Sequence, residues 1–179
     1  MRTGADEAAA PKYSHIERER RFRVDPALLP PLPRDHMLIE DLYISATRIR
    51  LRRMTDSATG EIAHKLAKKY DAADPLARAM VNAYLTASEY AVFASLPGRP
   101  IVKRRYPVMA GDAEFGVDVF AGDLDGLVLA EIEAPDAAAL AGIPIPAWTV
   151  GEVSHDPRFQ GGALAALDRA AARALIAAV

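Results

Sequence analysis

The sequence predicts an antiparallel α+β fold with about eight strands and two or three helices. Two observations favour it: several segments alternate charged and apolar residues with a period of two, and turns of hairpin length separate several of these segments. The 179 residues suit one domain. Residues 1–12 are small, polar and alanine-rich, so we expect a disordered tail there and a single domain over 13–179.

The composition excludes several classes of function. A net charge of −2 argues against a general nucleic-acid-binding protein. Because the chain has no cysteine, any metal must use carboxylate or imidazole ligands, and a thiol nucleophile is excluded. No apolar run approaches the roughly 18 residues of a membrane-spanning helix, and the N-terminus lacks the pattern of a signal peptide. We therefore expect a cytoplasmic protein with neither a membrane nor a nucleic acid as partner.

The first half of the chain is expected to supply four strands and a helix. Alternation places the strands at 15–24, 41–54, 61–70 and a segment that ends near Leu85. Four prolines within 26–33 mark a long loop after the first strand. Thr86 and Glu89 form a capping box, which predicts a helix that runs to Leu96.

The second half is expected to supply the remaining strands, at 101–109, 114–120, 127–134 and 149–154. The segment from Gly122 to Gly126 is typical of a hairpin turn. Asp136 can cap a short helix to Leu140, and Trp148 in a proline-rich loop is expected to be a packing anchor. An alanine-rich amphipathic helix is predicted over 163–179.

Like charges recur at alternate positions of separate strands. Residues two apart on a strand point the same way, about 6.6–7 Å apart, so Arg48, Arg50 and Arg52 would repel by roughly 2 kcal/mol per adjacent pair at an effective dielectric near 20. The same spacing, or its double, recurs at Glu17/Glu19, Lys65/Lys69, Lys103/Arg105 and Glu131/Glu133. A solvated strand face explains one such row. Recurrence on separate strands favours a shared charged cavity, because an ordinary one-sided sheet would mix both signs on its polar face.

Such a cavity would bind ligands of opposite charge. The basic rows favour a polyanion and the carboxylate pairs favour a divalent cation. Arginine suits phosphate oxygens, and carboxylates select Mg²⁺ or Mn²⁺ over softer metals. A barrel of about eight strands is wide enough for side chains or one small ligand. The residues alone thus leave two interpretations open, a solvated charged strand face and a cavity that binds a small phosphate compound together with a metal.

Seven short motifs follow one another between residues 13 and 170. They lie at Ile16–Phe22, Arg48–Arg52, Lys65–Lys69, Lys103–Tyr106, Val117–Gly122, Ala130–Glu133 and Pro146–Phe159. The first is similar to the E-x-E-x-K signature of the CYTH superfamily, also called triphosphate tunnel metalloenzymes, with Arg21 in the place of the lysine. A single motif of this kind arises easily by chance, but the ordered set resembles the family specifically.

The resemblance implies an eight-stranded antiparallel β tunnel, which is a closed barrel with flanking helices and a C-terminal helix. It implies metal ligands for Mg²⁺ or Mn²⁺ at Glu17, Glu19, Asp118, Glu131 and Glu133. It implies phosphate-binding residues at Arg48, Arg50, Arg52, Lys69, Lys103 and Arg105. Catalytic roles would fall to Glu17, Glu19, Glu133 and Arg21. Apart from Arg21 and Asp118, we expect all of these side chains to line one cavity.

The activity implied by the resemblance is metal-dependent hydrolysis of a small triphosphate, most simply inorganic triphosphate. A class IV-like adenylyl cyclase and a thiamine triphosphatase are alternatives, although the sequence contains no adenine-reading motif. Met80, Asn82 and Gly116 stand where acidic residues are common in the family. A polyphosphate- or nucleotide-binding module without catalysis is therefore the non-enzyme alternative. A homodimer is compatible with every one of these interpretations.

Overall fold

The computed structural model describes residues 10–178, so most of the predicted tail lies outside the described residues. The described residues form nine strands and four helices. The strands are β1 (His15–Val24), β2 (Met37–Ile44), β3 (Ile49–Asp56), β4 (Ile62–Lys69), β5 (Ala77–Leu85), β6 (Gly98–Ala110), β7 (Ala113–Phe120), β8 (Val128–Glu133) and β9 (Thr149–Glu152). The helices are α1 (Ala87–Ala94), α2 (Ala137–Gly142), α3 (Gly161–Ala166) and α4 (Arg169–Ala177). None of the helices over 10–178 has the length and apolarity needed to cross a bilayer.

Eight strands close into an antiparallel barrel in the order β1-β5-β4-β3-β2-β6-β7-β8, with β8 pairing back to β1. Closure depends on β1, whose first residues, 15–18, pair with β5 while residues 19–23 pair with β8. The ninth strand, β9, pairs with the end of β1 outside the closed ring. Closure leaves the eight strands without a free edge along the barrel wall. The predicted fold class is confirmed.

Two predicted elements are wrong in the same way, because each is two elements in the structure. The predicted strand over 41–54 is the hairpin of β2 and β3, joined by a turn in which Ala46 adopts a left-handed φ of 58°. That turn contains neither glycine nor proline, so the two strongest local turn signals are absent. The predicted helix over 163–179 is broken between α3 and α4, where Asp168 caps α4 by accepting a hydrogen bond of 2.8 Å from the backbone N–H of Ala171.

The apolar residues form two clusters, one on each side of the barrel wall. Outside it, Phe22, Phe115 and Val117 pack with Trp148. The rings of Phe115 and Trp148 meet edge to face with centroids 5.5 Å apart, which confirms the prediction of a packing anchor. The second cluster lies at one end of the barrel interior, where inward-facing strand residues pack against α3 and α4. The first cluster packs against the outside of the barrel wall, and the second forms one end of the barrel interior.

Candidate functional site

A cavity of about 110 Å³ lies inside the barrel. Alternate residues of β1, β3, β6 and β8 point into it, because side chains of a strand alternate between its two faces. Its lining includes seven cationic side chains, which are Arg21, Arg50, Arg52, Lys69, Arg78, Lys103 and Arg105. It also includes five acidic side chains, which are Glu17, Glu19, Asp41, Glu131 and Glu133. The lining thus carries a formal excess of positive charge.

Nine of the ten charged residues expected to share one cavity do line it. The exception is Arg48, for which the prediction is wrong. Its side chain is 47% exposed and forms an ion pair with Asp71. The physical reason is that β3 begins at Ile49, so Arg48 belongs to the preceding turn and does not continue the inward row of Arg50.

Three carboxylates face one another where β1 meets β8. Glu19 lies directly opposite Glu133, and one oxygen of each lies within 4.8 Å of the other and of an oxygen of Glu17. Burial, together with repulsion from Glu17 and Glu19, raises the pKa of Glu133 above its ordinary value. A cation would relieve this repulsion, and an all-carboxylate donor set fits a hard divalent ion. We call Glu17, Glu19 and Glu133 the acidic cluster.

The other two predicted metal ligands lie apart from the acidic cluster. Asp118 is fully buried and accepts hydrogen bonds from Lys103 Nζ at 2.5 Å and from Arg105 Nε at 2.7 Å. Glu131 accepts a bond of 2.8 Å from Arg21 Nε and pairs with Arg105 through its other oxygen. Burial opposes the charge of Glu131, but Arg21 and Arg105 hold its pKa well below the ordinary value. Both carboxylates therefore anchor cationic side chains that line the cavity.

Sequence reasoning missed Asp41, the anchor of the β3 arginines. Arg52 donates to its two oxygens at 2.6 and 2.8 Å, and Arg50 Nε lies 3.6 Å from it. Burial alone would raise the pKa of Asp41, but Arg52 and Arg50 lower it below the ordinary value. The error follows from merging β2 and β3 into one strand. That merger placed Tyr43 on the face opposite Arg50, whereas the hairpin turns both residues inward.

Two lysines of the cavity form ion pairs on different strands. Lys69 contacts the carboxylates of β1, and Lys103 contacts Asp118 on β7. Lys69 Nζ lies 3.0 Å from Glu19 Oε1 and also contacts Glu17. Burial disfavours the ammonium ion, yet Glu19 and Glu17 raise the pKa of Lys69, so it stays charged. Burial dominates at Lys103 and lowers its pKa in spite of Asp118.

The structure explains one of the three positions that lack the expected acidic residues, Gly116, and does not explain Met80 and Asn82. Strand β5 contributes Arg78 to the cavity, while Met80 is buried and Asn82 is exposed. At Gly116 a Cβ atom would lie 3.1 Å from Arg105 Cδ and 3.2 Å from its Nε. The Arg105 side chain therefore occupies the space that an acidic side chain at position 116 would need.

The closed antiparallel barrel with a charged interior and an acidic cluster is the CYTH, or triphosphate tunnel metalloenzyme, fold. An inorganic triphosphatase from Nitrosomonas europaea is 44% identical to this chain over 70 residues, which are 38% of this chain and 46% of that protein. An inorganic triphosphatase from Acetivibrio thermocellus is 39% identical over 62 residues, which are 34% and 38% of the two chains.

A solved structure agrees with these sequence matches. A crystal structure named as that of an inorganic triphosphatase is 26% identical, has a TM-score of 0.55, and is matched over 83% of this chain and 93% of that one. The chain matches less than half the length of either curated relative. No family model matches the sequence.

Proposed function

We propose that this protein is a divalent-metal-dependent triphosphatase that hydrolyses inorganic triphosphate. The observation that carries the proposal is that the cationic side chains of the cavity and the acidic cluster lie in one closed barrel. A triphosphate with its metal satisfies both at once, because the phosphates neutralise the arginines and the metal neutralises the carboxylates. The names of the two relatives and of the matched crystal structure support the same activity.

The phosphate chain would bind to side chains that are now anchored by acids. Arg50 and Arg52 share Asp41, while Lys103 and Arg105 share Asp118. Hydrogen bonds to these acids fix the guanidinium groups of Arg52 and Arg105, and planar guanidinium forks bind phosphate oxygens in bidentate fashion. Little rotamer freedom is then lost when the substrate binds, which favours affinity.

The acidic cluster would hold Mg²⁺ or Mn²⁺. Such an ion supplies polarisation of phosphoryl oxygens and lowers the pKa of bound water. Arg21 bridges Glu19 and Glu131 at 3.2 and 2.8 Å, which orients one member of the cluster. Burial raises the pKa of Tyr43, whose ring lines the cavity, so its hydroxyl stays protonated and can donate to a phosphate oxygen.

A phosphate-release panel tests the proposal. Inorganic triphosphate, ATP and thiamine triphosphate are each assayed with Mg²⁺ and with Mn²⁺, and cyclic AMP is measured in the ATP samples. We expect inorganic triphosphate to be the best substrate and its hydrolysis to vanish in excess chelator. Formation of cyclic AMP would instead identify a cyclase. Binding of triphosphate, seen as a raised melting temperature without turnover, would identify a binding module.

Two arginines of β3 give a matched pair of variants. Arg50 points into the cavity with 17% of its side chain exposed, whereas Arg53 points outward, is 41% exposed and pairs with Glu40. Arg50→Ala should weaken triphosphate binding by about 1.5–3 kcal/mol, the value of one charged hydrogen-bonding group. Arg53→Ala should change it by less than about 0.5 kcal/mol. Equal effects in calorimetry would contradict the assignment of the cavity as the phosphate site.

A further inference from the structure

One end of the barrel cavity is closed by the segment Pro157–Leu164, which we call the plug. On β6, β7 and β8 the inward-facing row changes from charged to apolar at Ile101, Phe120 and Leu129. These side chains pack against Phe159 and Leu164, which are only 1% and 3% exposed. The apolar layer of these three strands therefore packs directly against the plug.

Polar contacts attach the plug to two further strands. The backbone carbonyl of Phe159 accepts a hydrogen bond of 2.9 Å from Arg21 Nη1 on β1. The side chain of Gln160 accepts one of 2.9 Å from Arg78 Nη1 on β5. Arginines of the cavity wall thus hold the plug in register with the phosphate-binding residues.

A sixth strand meets the plug at Gly161. A Cβ atom there would overlap the Tyr43 hydroxyl on β2 and lie 2.8 Å from its Cζ. The backbone of the plug therefore rests directly on the tyrosine. Together with the preceding contacts, the plug reaches inward-facing residues of six of the eight barrel strands.

We propose that the plug restricts substrates to those that present an unsubstituted terminal phosphate to the closed end of the cavity. This inference rests on the proposed function. Glu133, at the acidic cluster, is exposed to solvent, so the cavity opens on that side. The cavity of about 110 Å³ is well below the roughly 300–1,000 Å³ of sites that enclose drug-sized ligands. An organic group on the inner phosphate would have to displace the packed Phe159 and Leu164.

A series of three ligands with the same phosphate chain tests this inference by calorimetry in excess chelator, where the proposed hydrolysis does not proceed. They are inorganic triphosphate, its ester with one methyl on a terminal phosphate, and its ester with one methyl at each end. Each methyl removes one ionisable oxygen, so charge alone predicts two similar losses of affinity. The closed end predicts that the second methyl costs at least tenfold more affinity than the first. Two similar steps would overturn the inference.

Variants assign the effect to the plug. Gln160→Ala and, more drastically, Phe159→Ala enlarge the closed end and should reduce the excess cost of the second methyl at least fivefold. Arg158→Ala is the control in the same segment, because its side chain is 61% exposed and pairs with Asp156; it should leave both steps unchanged. If Phe159→Ala does not fold, Gln160→Ala still decides. An unchanged second step in folded Gln160→Ala would show that the plug is not the discriminating element.

Failure of this inference is distinguishable from failure of the proposed function. Two similar steps with intact triphosphate hydrolysis would remove the plug from specificity and leave the enzyme assignment standing. Unequal steps without any hydrolysis would support the closed end in a protein that only binds triphosphate.

Discussion

Replacing Asp118 with asparagine asks whether this buried carboxylate anchors cations or binds metal. In the structure it accepts three charge-assisted hydrogen bonds, of 2.5 Å from Lys103 and of 2.7 and 2.6 Å from Arg105. Removing one partner of a buried ion pair costs about 3–5 kcal/mol, because the other charge stays buried and unpaired. Arg105 keeps Glu131, and asparagine keeps one acceptor oxygen, so we expect the lower end, about 3 kcal/mol.

The assay is urea unfolding at neutral pH, combined with calorimetric titration of Mn²⁺ into the folded variant. Domains of this kind are stable by about 5–15 kcal/mol, so Asp118→Asn should fold with a clearly lower midpoint. Its affinity for Mn²⁺ should stay within about threefold, since the acidic cluster is intact. Glu114→Gln makes the same chemical change at an exposed position of β7 and should alter stability by less than about 0.5 kcal/mol.

The opposite pattern would refute the structural reasoning. If Asp118→Asn unfolds with a loss below about 1 kcal/mol while Mn²⁺ affinity falls tenfold or more, Asp118 is a metal ligand, as the family resemblance implies. Its pairs with Lys103 and Arg105 would then be exchanged for the ion on binding.

Three further predictions concern the cluster, the plug and pH. Glu133→Gln removes one charge of the acidic cluster, so the rise in melting temperature that Mn²⁺ produces should shrink by more than half, whereas Glu114→Gln should preserve it. Gly161→Ala should destabilise the protein by about 1–3 kcal/mol, because its Cβ would overlap Tyr43. Gly162→Ala is the control and should leave stability unchanged, since its Cβ would lie 4.0 Å from the Tyr43 ring. Thermal melts of the two variants test this difference. Because its folded pKa lies below the ordinary 3.8, Asp41 stabilises the protein above that pH and loses its contribution as the pH falls through the folded pKa. The free energy of unfolding, measured from pH 5 downward, should therefore fall less steeply with decreasing pH in Asp41→Asn than in wild type.

Local sequence patterns were sufficient to predict which face a side chain occupies wherever the residues of a single strand alternate between the two faces without interruption. Along β1, β6 and β8 the period of two assigns each charged residue to one face, so the inward positions of Glu19, Lys103 and Glu131 follow from the sequence. The capping box at Thr86 and Glu89 is likewise present, because both of its hydrogen bonds join residues three positions apart. Such contacts depend only on neighbouring residues.

Tertiary structure alone decided how the faces of different strands relate and which charges are already paired. The turn at 45–48 reverses the chain without a glycine or proline and brings Asp41 onto the face of Arg52. Asp118 and Glu17 are both acidic residues within strands that the sequence predicts. One is nevertheless surrounded by Lys103 and Arg105, and the other joins the acidic cluster. Their partners lie on other strands, and strand register is set by closure of the whole barrel. The same holds for the plug, which meets the cavity residues only because β1 and β5 pair to complete the ring.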